Sequence, residues 1–437
     1  MKFDDNPKLL YAWYGDDFTG STDVLEALGL HGVPAVLFTR PPSGLELASF
    51  PQCRAFGIAG ESRSRTPAWM DGNLPAIFAA MRALGAAVNH YKVCSTFDSS
   101  PQTGSIGRAL ELGAEAFRSS WVPVVAAAPR LGRFVLFSNL FASAQGEIYR
   151  IDRHPTMSFH PVTPMEEADL RKHLARQTDL PVGSVDLRDF QSGKAKERLR
   201  CALAAGSRAI VFDSLDSAML EDTAALLSME SANRQVFGVG SSGLTYGLLG
   251  YWRRKGWIGD VPALPAAAPT DRLLVVSGSC SPATARQIHA AREQGFASFH
   301  MSSTTSWKRQ TENAISALAG GKSVVLYSAL GSADQTKNYG TEYGHAFGEA
   351  MREILLRSGV RRAVIAGGDT STHTVGRLGL SALTFAAPLT PGAPLCRAWA
   401  PGSPLDGLEL VLKGGQIGPE DFFARVRDGM GCGVADQ

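Results

Sequence analysis

The chain has 437 residues, of which 44% are hydrophobic and 19% charged, and its formal net charge at pH 7 is +2. This length predicts roughly two to three domains, and the small net charge gives no basis for a nucleic-acid or membrane partner. The six cysteines are scattered without metal-ligand spacing. Without a secretory signal or an apolar run of the roughly 18 residues that a membrane helix needs, the sequence predicts a cytoplasmic protein.

The first predicted strand, Leu9 to Tyr14, ends in the turn Gly15-Asp-Asp-Phe-Thr-Gly20, and a helical pattern follows. Ligands of open α/β sheets bind at the carboxyl ends of the strands, so Asp16 and Asp17 are predicted at a ligand-binding edge. One acid would face the ligand while the other caps the helix. Two alternatives stay open here: both acids serve only the turn, or the pair belongs to a phosphatase of the aspartyl-phosphate type.

A second polar cluster follows the strand that ends at Lys92. The hydroxyls of Ser95 and Thr96 flank Asp98 in the next turn, and this set of donors with a cation suits a small polyhydroxy or carboxylate ligand. The alternative is an ordinary polar loop. Further along, Arg133 is a candidate clamp for a carboxylate. His160 lies in a proline-rich irregular segment, either as a ligand contact or as a packed loop residue.

The stretch Gln235–Leu244 contains the spacing GxGxxG. A dinucleotide site would need an acid at a second strand end about 20 residues later, and none is suitably placed, so this function is rejected. Ser242 and Gly243 remain candidates for lining a substrate pocket.

A helix is predicted near Pro75–Leu84. The Pro- and Ala-rich segment Gly259 to Thr270 predicts a linker between domains.

Beyond this linker, three predicted strands end in glycine-containing turns. The turns are Ser277-Gly-Ser-Cys-Ser281, Ala366-Gly-Gly-Asp-Thr-Ser371 and Lys413-Gly-Gly-Gln-Ile-Gly418, and the first two precede predicted helices. Helix N-termini present unpaired N–H groups to an anion, and glycine lets a ligand approach the backbone closely. One such turn alone is equally typical of an ordinary strand–helix connection. Their recurrence favours phosphate binding.

Taken together, the motifs resemble those of the four-carbon acid sugar kinase family, in family order over essentially the whole chain. The motifs are Gly15-Asp-Asp-Phe-Thr-Gly20, Lys92-Val-Cys-Ser-Thr-Phe-Asp-Ser99, His160-Pro-Val-Thr-Pro-Met165, the three turns above and Pro391-Gly-Ala-Pro394. The resemblance implies two α/β domains with mostly parallel sheets facing each other across a cleft. Residues 1–262 would bind the acid sugar, and residues 270–437 would bind the nucleotide.

The resemblance also implies an ATP- and Mg²⁺-dependent kinase that phosphorylates the terminal hydroxyl of a tetronate or 3-oxo-tetronate. Asp16, Asp17, Lys92 and the Ser95–Asp98 loop would meet the acid sugar, with either aspartate as general base, and the Mg²⁺ ligands stay unassigned. The implied nucleotide contacts are Ser277, Ser279, Gly367, Gly368, Asp369, Thr370 and Gly415. The stretch Cys94–Ser99 is closer to the 3-oxo-tetronate branch than to the threonate branch.

The predicted partners are the acid sugar and ATP, with a homodimer as a further option. The alternative from another class is a two-domain acid-binding or sensor protein without catalysis, which would not explain three glycine turns in one half of the chain.

Overall fold

The structure is a computed structural model that describes residues 6–144, 146–160, 162–230, 235–301, 304–331 and 341–431. Within helices, the side chains of residues 230, 304–306, 341–343 and 369 are not described. The chain forms two compact units. The first comprises Met1–Asp16, His31–Pro34 and Pro41–Pro262, and the second comprises Asp17–Leu30, Ala35–Arg40 and Ala263–Gln437. The domain boundaries expected from the sequence, residues 1–262 and 270–437, stay a prediction.

The strands are numbered in chain order. They are β1 (Tyr11–Gly15), β2 (Ala35–Phe38), β3 (Ala55–Ala59), β4 (Val88–Lys92), β5 (Val122–Val125), β6 (Arg133–Leu136), β7 (Asn139–Ala144), β8 (Glu147–Arg150), β9 (Val182–Val185), β10 (Ala209–Phe212), β11 (Val236–Gly240), β12 (Leu274–Ser277), β13 (Ala297–His300), β14 (Val324–Tyr327), β15 (Arg362–Ala366), β16 (Ala382–Thr390), β17 (Ala393–Trp399) and β18 (Glu409–Lys413).

The α-helices are numbered in the same way. They are α1 (Phe18–Leu30), α2 (Gly44–Ala48), α3 (Pro67–Leu84), α4 (Ile106–Ala116), α5 (Leu170–Ala175), α6 (Leu187–Gln191), α7 (Ala195–Ala204), α8 (Ser217–Glu230), α9 (Ser242–Arg254), α10 (Pro282–Glu293), α11 (Thr304–Ala319), α12 (Thr341–Ser358), α13 (Gly368–Leu378) and α14 (Phe422–Asp428).

The first unit is built on a parallel sheet with the strand order β3-β1-β4-β11-β5-β10-β9. Every residue of β1, β4, β5, β10 and β11 is buried, which is the pattern of a parallel sheet covered on both faces. The register aligns Gly15, Lys92 and Gly240 at neighbouring strand ends. A small antiparallel sheet, β6-β7-β8, also belongs to this unit.

The second unit has a mixed sheet in the order β13-β14-β12-β15-β18-β17-β16-β2. The strands from β13 to β18 in that order are parallel, and β17, β16 and β2 add antiparallel pairs. Helix α1 belongs here because it packs against β16, β17 and α13. The predicted α/β fold with mostly parallel sheets is therefore confirmed.

Local sequence signals explain most helix ends, but the predicted start of α3 was wrong. The helix begins at Pro67, where Thr66 caps it and accepts a hydrogen bond from the Trp69 amide. Proline suits this first position because the N–H that it lacks would have no helical partner. Pro75 lies inside the same helix, where the missing N–H removes one helical hydrogen bond without ending the helix.

Separate apolar cores support the two sheets. The core of the first unit includes Phe78, Tyr91 and Phe237, and that of the second includes Val275, Val364 and Phe422. Among the helices in the described ranges, none combines the length and the apolar character needed to cross a bilayer.

Candidate active site

Neighbouring strands of the first unit bring Asp16, Lys92 and Ser242 to one edge of the sheet. The Asp16 amide donates to the Lys92 carbonyl at 2.9 Å, and the Val93 amide donates to the Gly240 carbonyl at 2.7 Å. All three side chains are buried, with Asp16 4% and Lys92 2% exposed. The edge therefore places a carboxylate, an ammonium and a hydroxyl at the carboxyl ends of β1, β4 and β11, where α/β sheets bind ligands.

The turn after β11 combines a buried hydroxyl with a helix N-terminus. Ser241 caps α9 by accepting a hydrogen bond from the Gly243 amide at 3.0 Å. The Ser242 hydroxyl is fully buried and has no hydrogen-bond partner among the described residues. A Cβ at Gly243 would overlap the Ala127 carbonyl oxygen, so glycine is required there. A buried donor at a helix N-terminus suits an anionic or hydroxylated ligand.

Asp98 is the centre of a second buried cluster in the first unit. Its carboxylate lies 2.6 Å from Arg63 Nη2, accepts a hydrogen bond from Thr96 Oγ1 at 2.5 Å, and lies 3.4 Å from Thr163 Oγ1. His160 joins the cluster because its Nδ1 accepts from the Thr163 amide at 3.1 Å. The structure thus brings three predicted residues, Thr96, Asp98 and His160, to one place.

Opposing effects set the pKa of Asp98. Burial raises it, but attraction to Arg63 and His160, with the hydrogen bonds from Thr96 and Arg63, outweighs burial and lowers the pKa to about 2. Asp98 is therefore ionised at neutral pH. Phe97, the residue before it, has a φ of 56°, a left-handed conformation that side chains larger than glycine adopt at a cost.

Asp98→Asn is expected to lower the free energy of unfolding by about 2 kcal/mol at pH 7, since the depressed pKa is worth about 1.4 kcal/mol per unit. The ionised carboxylate stabilises the native state above the unfolded-state pKa near 4, and this contribution disappears as the pH falls towards 2. Urea unfolding at pH 7 and pH 3 should therefore show the difference between wild type and variant shrinking to about half.

The exposed pair Arg108–Asp71 provides the control for this measurement. Its side chains are 35% and 49% exposed, so Asp71→Asn should cost less than about 1 kcal/mol at either pH. Equal losses in the two variants would contradict a special contribution from Asp98.

Arg133, at the start of β6, is half-buried. Burial lowers the pKa of its guanidinium, and the thiol of Cys94 in the loop after β4 acts in the opposite direction. Its Nη1 donates to the Leu131 carbonyl, while its buried Nε has no partner in the described structure. Ser95, in the same loop as Cys94, is also buried. A guanidinium N–H without an internal acceptor can bind a ligand carboxylate.

In the second unit, the three glycine turns meet at one edge. Strand β15 pairs with both β12 and β18, and the register aligns Ser277, Ala366 and Lys413. The Gly278 amide donates to the Ala366 carbonyl at 3.2 Å, and the Gly367 amide donates to the Lys413 carbonyl at 2.9 Å. Each turn therefore begins at the carboxyl end of its strand, beside the other two.

Close packing explains why these turns need glycine. A Cβ at Gly278 would overlap the Thr370 hydroxyl, and one at Gly415 would lie 2.7 Å from Ser279 Oγ. Gly367 has a φ of 117°, which favours glycine over other residues. The Ser277 hydroxyl is fully buried without a partner among the described residues. Small backbone turns with a buried hydroxyl form a cradle that suits phosphate groups.

The two adjacent aspartates fall in different compact units. Asp17 begins the segment that packs with the second unit, and it accepts hydrogen bonds from the Gly20 amide at 2.5 Å and from Thr19 Oγ1 at 2.9 Å. A Cβ at Gly368 would lie 3.2 Å from Asp17 Oδ2. The carboxylate of Asp17 is therefore beside the turn at the start of α13, whereas Asp16 lies with Lys92 in the first unit.

Two further predicted nucleotide contacts, Asp369 and Thr370, lie at the start of α13. The backbone of Asp369 lies in the first turn of α13, and its side chain falls outside the described residues. Thr370 is buried beside Gly278 and Gly367. Within the described part of the chain, no cluster of three or more histidine, cysteine or acidic side chains could hold a metal ion.

Sequence reasoning did not single out Arg63 or Thr163. Arg63 lies in a short 3₁₀ turn after β3, 35 residues before its partner Asp98. Arg63 follows the end of β3, but the local sequence contains no motif that distinguishes it from a solvated arginine.

Comparison with known proteins gives a separate match for each half of the chain. The model of a sugar-binding N-terminal domain matches residues 11–248, and the model of a nucleotide-binding C-terminal domain matches residues 274–423. A 3-oxo-isoapionate kinase from Paraburkholderia graminis is 44% identical over 98% of this chain and 96% of its own. A 3-oxo-tetronate kinase from Pseudomonas savastanoi pv. phaseolicola is 32% identical over 96% and 97%.

Solved structures show the same fold. A Salmonella typhimurium LT2 protein, described provisionally as a tRNA synthase, has a TM-score of 0.77 at 24% identity and covers 95% of this chain and 98% of its own. A Haemophilus influenzae protein of the DUF1537 family has a TM-score of 0.70 at 23% identity with the same coverage.

Sugar-binding and nucleotide-binding domains in one chain, with full-length similarity to kinases, define a sugar-acid phosphotransferase. The chain belongs to the four-carbon acid sugar kinase family.

Proposed function

We propose that this protein transfers the γ-phosphoryl group of ATP to a hydroxyl of a small 3-oxo sugar acid. The observation that carries the proposal is the meeting of three glycine turns at the carboxyl ends of β12, β15 and β18. Full-length similarity to kinases named for 3-oxo-isoapionate and 3-oxo-tetronate supports a 3-oxo acid as the acceptor. Cytoplasmic location and a homodimer stay predictions.

The second unit would hold the phosphate chain of ATP. The Ser277 hydroxyl, the turns at Gly367–Thr370 and Gly415, and the N-terminus of α10 supply hydrogen-bond donors without bulky side chains. Phosphoryl transfer depends mainly on positioning and on neutralising charge, so such a cradle is what the reaction requires.

The first unit would hold the acid sugar. Lys92 and Arg133 are the cations at its candidate site, and either can pair with the substrate carboxylate. Ser242 and Gly243 add a buried hydroxyl and a helix N-terminus. The Asp98 cluster supports this site because it fixes the loop that carries Ser95 and Thr96.

We assign different tasks to the two aspartates. Asp16 lies at the end of β1 beside Lys92, so we propose that it accepts the proton of the attacking hydroxyl while the oxygen forms a bond to phosphorus and ADP leaves. Asp17 is given a different task because its carboxylate accepts hydrogen bonds from the Gly20 amide and the Thr19 hydroxyl at the start of α1, beside the Gly368 turn.

Asp17 is better suited to the metal side of the nucleotide. Mg²⁺ in phosphoryl-transfer enzymes is usually held by one or two carboxylates together with substrate phosphates. The position of Asp17 beside the Gly368 turn fits such a role. When bound, the ion would neutralise charge on the phosphates.

The direct test measures ADP formation by the purified protein with Mg-ATP and a panel of acids: 3-oxo-tetronates, 3-oxo-isoapionate, erythronates and threonates. We expect ADP and a phosphorylated acid in equal amounts for a 3-oxo acid, and only slow ADP release when no acid is present. Activity restricted to erythronate or threonate would support the kinase and contradict the 3-oxo acceptor.

Other outcomes would favour the rival functions. ATP binding without phosphoryl transfer to any acid of the panel would indicate that the acceptor belongs to another chemical class. Binding of an acid without any nucleotide binding would favour the sensor protein. Release of inorganic phosphate from a sugar phosphate without nucleotide would favour the phosphatase.

A further inference from the structure

One charged group of the nucleotide-binding unit has no part in the mechanism above. Lys413, the last residue of β18, has no exposed surface. Its Nζ donates to Thr284 Oγ1 at 3.0 Å and lies 5.7 Å from the centre of the Phe422 ring. Within the described residues, no carboxylate oxygen lies near enough to form an ion pair with it. Burying a cation without a counter-charge is costly, so such an arrangement indicates a function.

The hydrogen bonds of Lys413 lead directly to the phosphate cradle. Thr284 lies in the first turn of α10, and its hydroxyl passes the interaction on by donating to the Gly415 carbonyl at 2.8 Å. Lys413 therefore stabilises the Gly414–Gly415 turn through the Thr284 hydroxyl. Its ammonium also lies next to the positive N-terminal end of the α10 dipole, so two positive contributions add at the same place.

The surrounding charges do not compensate Lys413. On α10, α14 and β15 the charges pair elsewhere or are exposed: Arg286 with Glu420, Arg425 with Asp421, Arg427 with Asp428, Arg362 with Glu409, and His289 on the outer face of α10. Helix α1, which also packs against β18, carries the buried acids Asp23 and Glu26, and Glu26 accepts a hydrogen bond from the Gly392 amide. Burial, rather than a charged neighbour, is what acts on the pKa of Lys413. The buried Ser277 hydroxyl at the end of β12, two strands away, has no partner among the described residues. A cation, a helix N-terminus and an unpartnered hydroxyl together define a place for an anion.

We propose that Lys413 is a positioning residue for the nucleotide, and that it takes up a proton when the phosphates of ATP or ADP bind. This inference rests on the proposed kinase function. The phosphate charge supplies the missing counter-charge, while the bond through Thr284 holds the Gly415 turn in the shape that receives the phosphates. Burial in the nucleotide-free protein lowers the pKa of Lys413 to about 7, and a nearby phosphate would raise it again.

The proposal predicts a pH dependence of nucleotide affinity in a range where ATP and ADP are fully ionised. When the pH rises above about 7, the pKa of Lys413, the nucleotide-free protein loses the Lys413 proton and must take it up again to bind the nucleotide. The dissociation constant for ADP should therefore increase by up to about tenfold per pH unit between pH 7.5 and 8.5. Titration calorimetry at pH 8 in two buffers of different ionisation enthalpy should show close to one proton taken up per ADP bound.

The variants Lys413→Met and Cys280→Ser separate Lys413 from the other titrating group in the cradle. Methionine fills a similar volume without charge, so Lys413→Met should bind ADP about tenfold more weakly at pH 7 and show neither proton uptake nor the pH dependence. Cysteine thiols titrate in the same pH range, and Cys280 lies in the Ser277–Ser281 turn. Cys280→Ser should keep the proton uptake, and loss of the uptake in this variant would overturn the proposal.

The wild-type measurement decides the matter even if a variant fails to fold. ADP binding with no proton uptake and with a pH-independent affinity would overturn the role of Lys413 and leave the kinase function standing. No ADP or ATP binding at any pH would overturn both. Proton uptake that persists in folded Lys413→Met would place the titrating group elsewhere and would also overturn the proposal.

Discussion

Asp16→Asn is expected to lower the turnover number with the preferred acid by about 10²–10⁴-fold, the usual contribution of a general base. Asparagine keeps the size of the side chain and its place at the end of β1 but cannot accept the proton of the hydroxyl. The dissociation constants for ATP and for the acid should change little, because Asp16 belongs to the first unit and the acid is anchored by cations. Steady-state kinetics and calorimetric binding with the same preparation check both statements.

Asp17→Asn is the matched control, since the same substitution is made one residue away. Asparagine also caps helices well, so the start of α1 should be preserved. We expect this variant to bind Mg-ATP more weakly, with a smaller effect of added Mg²⁺ on nucleotide affinity, because the carboxylate beside Gly368 is lost. A loss of turnover below about tenfold in Asp16→Asn would rule out its role as base. A large loss in Asp17→Asn with normal Mg-ATP affinity would exchange the two roles.

The second large effect concerns stability. Glu409→Ala is expected to lower the free energy of unfolding of the second unit by about 3–5 kcal/mol, the usual cost of leaving one partner of a buried ion pair alone. Arg362 is 2% exposed, and its guanidinium lies 2.6 Å from the Glu409 carboxylate and donates to the Val426 carbonyl at 2.9 Å. Without Glu409, the Arg362 charge stays buried with only carbonyl groups to accept its hydrogen bonds.

Two further variants test the cause of this loss. Glu312→Ala removes an exposed partner of Arg357, whose pair has side chains that are 44% and 50% exposed, and it should lower the free energy of unfolding far less than Glu409→Ala does. The double replacement Arg362→Met with Glu409→Leu should recover most of the stability, because an apolar pair needs no counter-charge. Urea unfolding measures all three. Equal losses in the single and double variants would show that packing, rather than the unpaired charge, is responsible.

Local patterns in the sequence were sufficient for the class of fold, and they marked the strand ends that carry the candidate site residues. Alternating apolar runs and helical patterns predict α/β units, and acids, hydroxyls and glycines directly after apolar runs mark the carboxyl ends of strands. This reasoning put Asp16 and Lys92 at strand ends, and the structure adds that β1, β4 and β11 are neighbours in one sheet, with Ser242 just after β11. It failed at α3, where Pro75 was read as a helix start although the signals at Thr66 and Pro67 were present.

The partners of these residues followed from long-range packing, which local patterns do not record. Arg63 finds Asp98 because the turn after β3 approaches the loop after β4. Lys413 follows an apolar strand like any other polar residue, and only the packing of α10 and α14 against β18 buries its ammonium. Burial decides the protonation of such groups, so their chemistry becomes visible only in the folded chain.

The clearest division between sequence and structure concerns Asp16 and Asp17. Neighbouring residues specify the strand, the turn and the helix, so two acids at the end of the first strand can be predicted from local sequence. Their separation into different units depends on long-range packing. Helix α1 crosses to the second unit because its Gly29 packs against Phe385 and its Glu26 carboxylate accepts from the Gly392 amide at 2.7 Å. These contacts join residues more than 350 positions apart, and their packing energy fixes which aspartate lies with the phosphate cradle.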